Sequence, residues 1–140
     1  MHNSEGVVSA MSQATDPGQA AEELARQLLH PYLGFVLFFC SASYDLEALG
    51  HALQQCFGKV RVVGCTSAGE ITPQGYGRNC VTAVGFDHAH FSIATELIDQ
   101  VEHFSLIDAQ QMVERLVGGC RSNSLAPIKG NSFALTLLDG

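Results

Sequence analysis

Gly64-Cys65-Thr66-Ser67-Ala68-Gly69-Glu70-Ile71 directly follows a short apolar run, Val60 to Val63, and Gly75 and Gly77 come close behind. The eight positions hold small residues, two hydroxyls, a thiol and one carboxylate. Polar groups at that density need partners and do not make a core by themselves. Gly and Ala let a backbone come close to something else. The pattern predicts a strand that opens into a small, hydroxyl-rich loop, the place where open α/β sheets hold ligands.

Upstream, Leu46, Leu49, Leu53, Cys56 and Phe57 recur at helical spacing, and Gly58 stops the helix. Before them, Gly34 to Cys40 is apolar without alternation, as in a strand buried on both faces. Strand, helix and strand within roughly 30 residues read as a right-handed βαβ unit. Earlier still, Asp16-Pro17-Gly18-Gln19 has the form of a helix start, with Asp16 as cap and Pro17 at the first helical position. Ala21, Leu24, Ala25 and Leu28 give that helix its apolar stripe, with His30 in its last turn and Pro31 ending it. Residues 1–16 are expected to be an N-terminal arm or a short strand, the strand reading resting on Val7 to Met11.

Downstream, Asn79–Phe86 and Phe91–Ile98 are expected as strands joined by Asp87-His88-Ala89-His90, an antiparallel hairpin. Ser105 caps a further helix with Asp108 at the capping-box position. Its stripe is Leu106, Ala109, Val113, Leu116 and Val117, and Gly118-Gly119 ends it. Ser132 to Leu138 reads as one more buried strand. The expected fold is α/β: a βαβ unit with parallel core strands plus an antiparallel hairpin, helices packed on the sheet. A central-looking strand two residues before Gly140 points to an incomplete fragment, which should self-associate in sedimentation through its exposed apolar edge.

Fourteen acids against seven bases give a charge of -7, which disfavours nucleic acid as a partner. The longest apolar run, Leu33 to Cys40, is far short of the roughly 20 residues that cross a bilayer, so no membrane insertion is expected. Met1-His2-Asn3-Ser4-Glu5 has neither the basic region nor the apolar stretch of a signal peptide. The cysteine count is odd, at five, with no C-x-x-C pair, and this fits a reduced cytoplasmic chain.

In a βαβ unit both strand ends lie on one edge of the sheet. Ser41, Ser43, Tyr44 and Asp45 are therefore expected beside Cys65, Thr66, Ser67 and Glu70, where hydroxyls and backbone N–H groups could hold a small polar ligand. The competing reading is that these groups cap helices and satisfy turns. Gly69 is read as a backbone position without room for a Cβ. Cys65 could instead serve as the nucleophile of a cysteine-dependent hydrolase. It lacks the G-x-C/S-x-G spacing, and no helix pattern starts directly after it, so a buried inert thiol is the better reading. His88-Ala89-His90 without a third ligand is a weak metal signal, and solvated turn histidines are favoured. Haem needs only one axial histidine and an apolar pocket, which spacing does not identify. Neither G-x-x-x-x-G-K-[ST] nor G-x-G-x-x-G occurs.

The order helix, apolar strand, helix, and strand running into Gly64–Ile71 resembles the N-terminal half of FIST domains, whose signature is G-C-(S/T)-(S/T)-A-G-E-I. The resemblance spans roughly Ala20 to Gly140, with residues 17–140 as the N-terminal FIST region and a C-terminal FIST region absent. Leu137-Leu138-Asp139-Gly140 resembles the family's apolar strand with a short acidic-Gly turn. The resemblance implies a sensory, ligand-binding module in signal transduction without catalysis of its own, and small ligands such as amino acids have been proposed for the family. One bacterial branch binds haem, senses nitric oxide and is linked to a histidine kinase or a cyclic-di-GMP enzyme, an alternative that the resemblance leaves open. The expected ligand-binding residues are Ser41, Tyr44, Asp45, Cys65, Thr66, Ser67, Gly69 and Glu70.

Overall fold

A computed structural model of the chain describes residues 6–72, 74–123 and 125–138. The chain divides into two compact units, one ending at His90 and the other starting at Phe91.

In the first unit, β1 (Val7–Ser12) leads through an Asp16 cap into α1 (Pro17–Leu28). The Asp16 carboxylate accepts from the Gln19 N–H at 2.8 Å, satisfying an otherwise orphaned first-turn donor. α1 stops at Leu28, short of the expected Pro31, and His30 lies in the turn beyond it. β2 (Leu33–Ser41) follows, then α2 (Leu46–Phe57), capped by Asp45 and ended by Gly58 at φ 58. β3 (Arg61–Ser67) comes next. It carries the first half of the motif inside the strand, where the sequence had suggested a loop. A short hairpin of β4 (Glu70–Thr72) and β5 (Gly75–Gly77) precedes β6 (Val81–Asp87).

The main sheet has the order β1-β6-β2-β3, and β4-β5 form a separate two-stranded sheet. β2 and β3 are parallel, which establishes the βαβ unit, and β6 runs antiparallel to both β1 and β2. The expected pairing of Asn79–Phe86 with Phe91–Ile98 is not formed. β6 lies between β1 and β2 instead, and no described residue from 91 to 98 is in a strand. The physical reason lies in β6 itself: alternate residues are buried and half-buried along its whole length, so both its edges and both its faces require cover. α1 and α2 pack on one face. Leu24, Leu28, Leu49, Leu53, Val36, Phe38 and Val81 make the centre of the core.

In the second unit, a 3₁₀ turn (Val101–His103) precedes α3 (Leu106–Arg121). The capping box is present, with Ser105 Oγ accepting from the Asp108 N–H and Asp108 accepting from the Ser105 N–H. Gly118 and Gly119 do not end the helix. A helical glycine costs only about 1 kcal/mol relative to Ala, and Gly119 gives close approach to the Ala94 methyl group. No α3 residue is fully buried. Ser132–Leu138 is not in a strand, and Phe133 and Leu138 are more than four-fifths exposed at 86% and 81%. The run has strand-like composition, yet no described strand pairs with it, and a strand exists only through a partner. Asp139 and Gly140 lie outside the described residues. No described helix is long and apolar enough to cross a membrane.

Gly64 is the residue on which β3 depends. A Cβ there would lie 2.1 Å from the Phe38 carbonyl oxygen and 2.5 Å from its ring. Backbone cannot swing away as a side-chain tip can. Gly64→Ala should therefore lower the unfolding free energy by about 1–3 kcal/mol, the usual range for overpacking. Urea denaturation measures it, and an unchanged midpoint would show that β3 is not seated against Phe38.

Candidate functional site

Parallel pairing places Ser41 opposite Ser67 and Cys40 opposite Thr66, so the carboxyl ends of β2 and β3 share one edge of the sheet. The start of β6 joins them there, because the Ser41 N–H donates to the Cys80 carbonyl at 3.0 Å. Ser43 Oγ donates to Ser41 Oγ at 3.0 Å. All eight residues expected at a ligand site thus belong to the segments that follow or form these two strand ends.

Their side chains divide into two groups. Asp45 spends its carboxylate on capping α2, accepting from the Ala48 N–H at 3.0 Å. Tyr44 is buried and donates its phenol proton to the Ala14 carbonyl at 2.5 Å, tying the β2–α2 connection to the β1–α1 connection. Both have structural employment. Cys65 is half-buried within β3, paired in the ladder with Phe39 of β2. Thr66 is exposed.

Glu70 has another environment. It is 2% exposed. Ser67 Oγ donates to its Oε1 at 2.9 Å, and the Cys80 thiol donates to its Oε2 at 3.3 Å. Cys80 was not anticipated as a site residue. It lies ten residues beyond Glu70, and its role follows from the β4–β5 hairpin bringing Glu70 back over the start of β6, which no local pattern encodes. Burial first, and then the hydrogen bond and charge of Glu70, push the Cys80 thiol up to about 11. Burial, the Glu70 charge and Cys65 push Cys40 up to about 11. Burial pushes the Tyr44 phenol up to about 12, with smaller contributions from Cys80, Cys40, Glu23 and Glu70.

Gly69 meets the expectation of a tight site in a softer way. A Cβ there would lie 2.0 Å from the Tyr76 hydroxyl, but Tyr76 is 68% exposed and can swing aside. The severe steric position in the motif is Gly64, not Gly69.

The histidines gather elsewhere. β6 is antiparallel to β2, with Leu33 opposite Asp87 and Cys40 opposite Val81. His88 and His90 therefore lie at the start of β2, the edge away from the motif. There His30 Nε2 meets buried Asp87 at 3.0 Å, His90 Nδ1 stands 3.9 Å from the same carboxylate, and the His88 ring packs near Tyr32. His51 bonds with Gln55 on α2. No histidine of the first unit's described residues stands at the Ser41–Glu70 edge. Nor do any described His, Cys, Asp or Glu side chains gather in threes that could hold a metal ion. In the second unit, an open cavity of about 270 Å³ is lined by residues including Glu96, Phe104, Met112 and Arg115, and none of the expected site residues belongs to it.

Cys40, Cys80 and Tyr44 all prefer their neutral forms when folded. Their contribution to stability is fully present below about pH 9, where these groups are protonated folded or unfolded. It is lost as pH rises through the folded values of about 11 and about 12. Unfolding free energy should thus fall steadily from about pH 9 upward in chemical denaturation. Glu70→Gln should lower the Cys80 pKa by removing the carboxylate, making Cys80 faster to alkylate at pH 9 than in the wild type.

A family model described as the FIST N domain matches residues 34–140. No curated protein and no solved structure matches the chain. The matched span runs from β2 through the motif and β6 into the second unit and takes in well over half of the sequence. The chain therefore belongs to the FIST family, whose domains are sensory modules of signal transduction.

Proposed function

We propose that this chain is the ligand-binding portion of a cytoplasmic sensor, and that a small polar molecule binds at the carboxyl ends of β2 and β3. The observation that carries this reading is the juxtaposition of Ser41 and Ser67, in register on adjacent parallel strands, with Glu70 folded back onto Ser67. Open α/β sheets hold ligands at this edge because strand ends present free backbone groups beside loops that can vary without disturbing the core. Ser41, Ser67 and Glu70 supply the polar contacts, with Thr66 beside them. Tyr44 and Asp45 hold the surrounding backbone in place. Cys65 contributes packing, and the domain binds without chemistry. Kinship with the family supports a signalling output, and a histidine kinase or a cyclic-di-GMP enzyme is the partner class it suggests.

A small-molecule library screened by thermal shift against the full chain, with hits located by hydrogen exchange, tests the reading. Protection is expected over residues 41–45 and 64–70. Ser41→Ala with Ser67→Ala should weaken binding by about tenfold or more, the scale of one or two lost hydrogen bonds to ligand. Cys65→Ala should stay within a few-fold of the wild type. Protection confined to other segments would overturn the proposal, and so would a hydrolytic turnover that Cys65→Ala abolishes.

A further inference from the structure

The two edges of the main sheet are finished differently. β1 forms one edge and β3 the other. On β1, the Gln27 side chain of α1 takes both backbone groups of Met11. Its amide N–H donates to the Met11 carbonyl at 2.9 Å, and its oxygen accepts from the Met11 N–H at 3.4 Å. That side chain stands where a further strand would pair. On β3, no described strand pairs with the outer side. Between Arg61 and Thr66 this strand reads Val-Val-Gly-Cys, without the charges and prolines that protect an edge. An open apolar edge is a template for another strand.

α2 adds a second surface beside that edge. α1 contacts β1 and α2, and α2 contacts β3. α2 buries Leu49, Leu53 and Phe57. The Cys56 thiol, pushed up by burial and then by the Glu22 charge, marks the flank turned to α1. Leu46, Gly50 and Gln54 recur every four residues along the opposite flank, on the side of the free β3 edge. Leu46 is exposed, and a Cβ at Gly50 would meet nothing within 4 Å. A glycine inside a helix lowers its stability, and it serves where another backbone comes close.

We propose that a second copy of this chain docks on this surface about a two-fold axis at Gly64, with β3 antiparallel to β3 and α2 beside α2. Charge selects the partner and the direction. Lys59 and Arg61 stand at the start of β3, while Asp45 and Glu47 open α2 on the side where β3 ends. Arg78 also stands on that side, over the Tyr76 ring. Antiparallel pairing sets the basic start of each β3 beside the acidic side of the other copy. Centring on Gly64 places Val63 opposite the second copy's Cys65, and Val62 opposite its Thr66, each pair on one face of the new ladder. Two four-stranded sheets become one continuous sheet. Because α2 is the crossover between β2 and β3, the same pairing brings the two α2 flanks together, and Gly50 gives the second helix room. The surface is self-complementary, so the assembly closes at two copies.

Sedimentation of the full chain between about 1 and 100 μM, the range of a weak specific dimer, should show a monomer–dimer equilibrium. Gly50→Arg should weaken it by about tenfold or more. The same variant should unfold at the same temperature as the wild-type monomer or a higher one, because Arg is the better helix former and displaces no neighbour. Val63→Cys sets a thiol opposite the second copy's Cys65 at a spacing that a disulfide spans. Oxidised glutathione, itself reduced to two thiols, should therefore link two chains of Val63→Cys, and should not link them when Cys65→Ala is added. A chain that stays monomeric at about 100 μM would overturn the proposal. So would a cross-link that does not need Cys65. The unpaired run Ser132–Leu138 is the rival strand for this edge, and a dimer that survives Gly50→Arg but is lost on Leu135→Lys would assign the edge to that run instead.

Discussion

β2 is hydrogen-bonded along both edges, by β3 running with it and by β6 running against it, and α1 and α2 cover the face that holds Val36, Phe38 and Cys40. Every other placement follows from that arrangement. Parallel pairing with β3 requires a crossover, which α2 supplies. Antiparallel pairing with β6 sends the start of β6 to the end of β2, so Cys80 arrives beside Ser41. The motif at the end of β3 then finds its partners from strands distant in sequence. Phe38 is where the arrangement is tightest, because its carbonyl and ring occupy the space that any side chain at position 64 would need.

The same topology separates two polar clusters by the length of the sheet. At the start of β2, buried Asp87 has His30 and His90 as imidazole neighbours. At its end, buried Glu70 has only uncharged donors. The two carboxylates look alike in composition, yet their neighbours differ in chemistry. Asp87 also holds backbone together, since its N–H donates to the Gly6 carbonyl at 2.8 Å and its own carbonyl accepts from the His90 N–H at 3.1 Å. Glu70 has no such backbone duty among the described residues beyond its ladder with Gly77, which leaves its side chain the less committed of the two.

Much of the first unit was legible because it is built from local signals. Asp16, Asp45 and Gly58 mark helix ends by chemistry that acts within a few residues, and the apolar runs of β2 and β3 mark buried strands by composition. The strand pairing of β6 was not legible. Its residues describe a covered strand without saying by what, and adjacency in sequence favoured Phe91–Ile98 over β1, some seventy residues earlier. The run Ser132–Leu138 shows the same limit: apolar strand composition states a demand for a partner and does not supply one. At the site, Ser67 and Glu70 could be read from the motif, whereas Cys80 could not, since its place depends on the hairpin's path. Gly69 and Gly64 were indistinguishable as letters. Only the neighbour decides between them, a mobile exposed ring in one case and a fixed carbonyl in the other.

The motif's spacing now has a mechanical account. Gly64 to Ser67 is strand, which brings Ser67 into register with Ser41. Ala68 and Gly69 form a bend, and Glu70 opens β4 on the return. A hydroxyl and a carboxylate three residues apart can bond across such a bend only when the two residues between them are small enough to let the chain turn sharply. Ala68 and Gly69 satisfy that, and the Tyr76 hydroxyl occupies the space they leave, 3.5 Å from the Ala68 carbonyl. A longer linker would let Glu70 reach solvent, and a bulkier one would push β4 off the strand ends. The segment therefore acts as a single device: a glycine that seats a strand, a serine that ends it, two small residues that turn it, and a carboxylate held under the turn with acceptor capacity to spare.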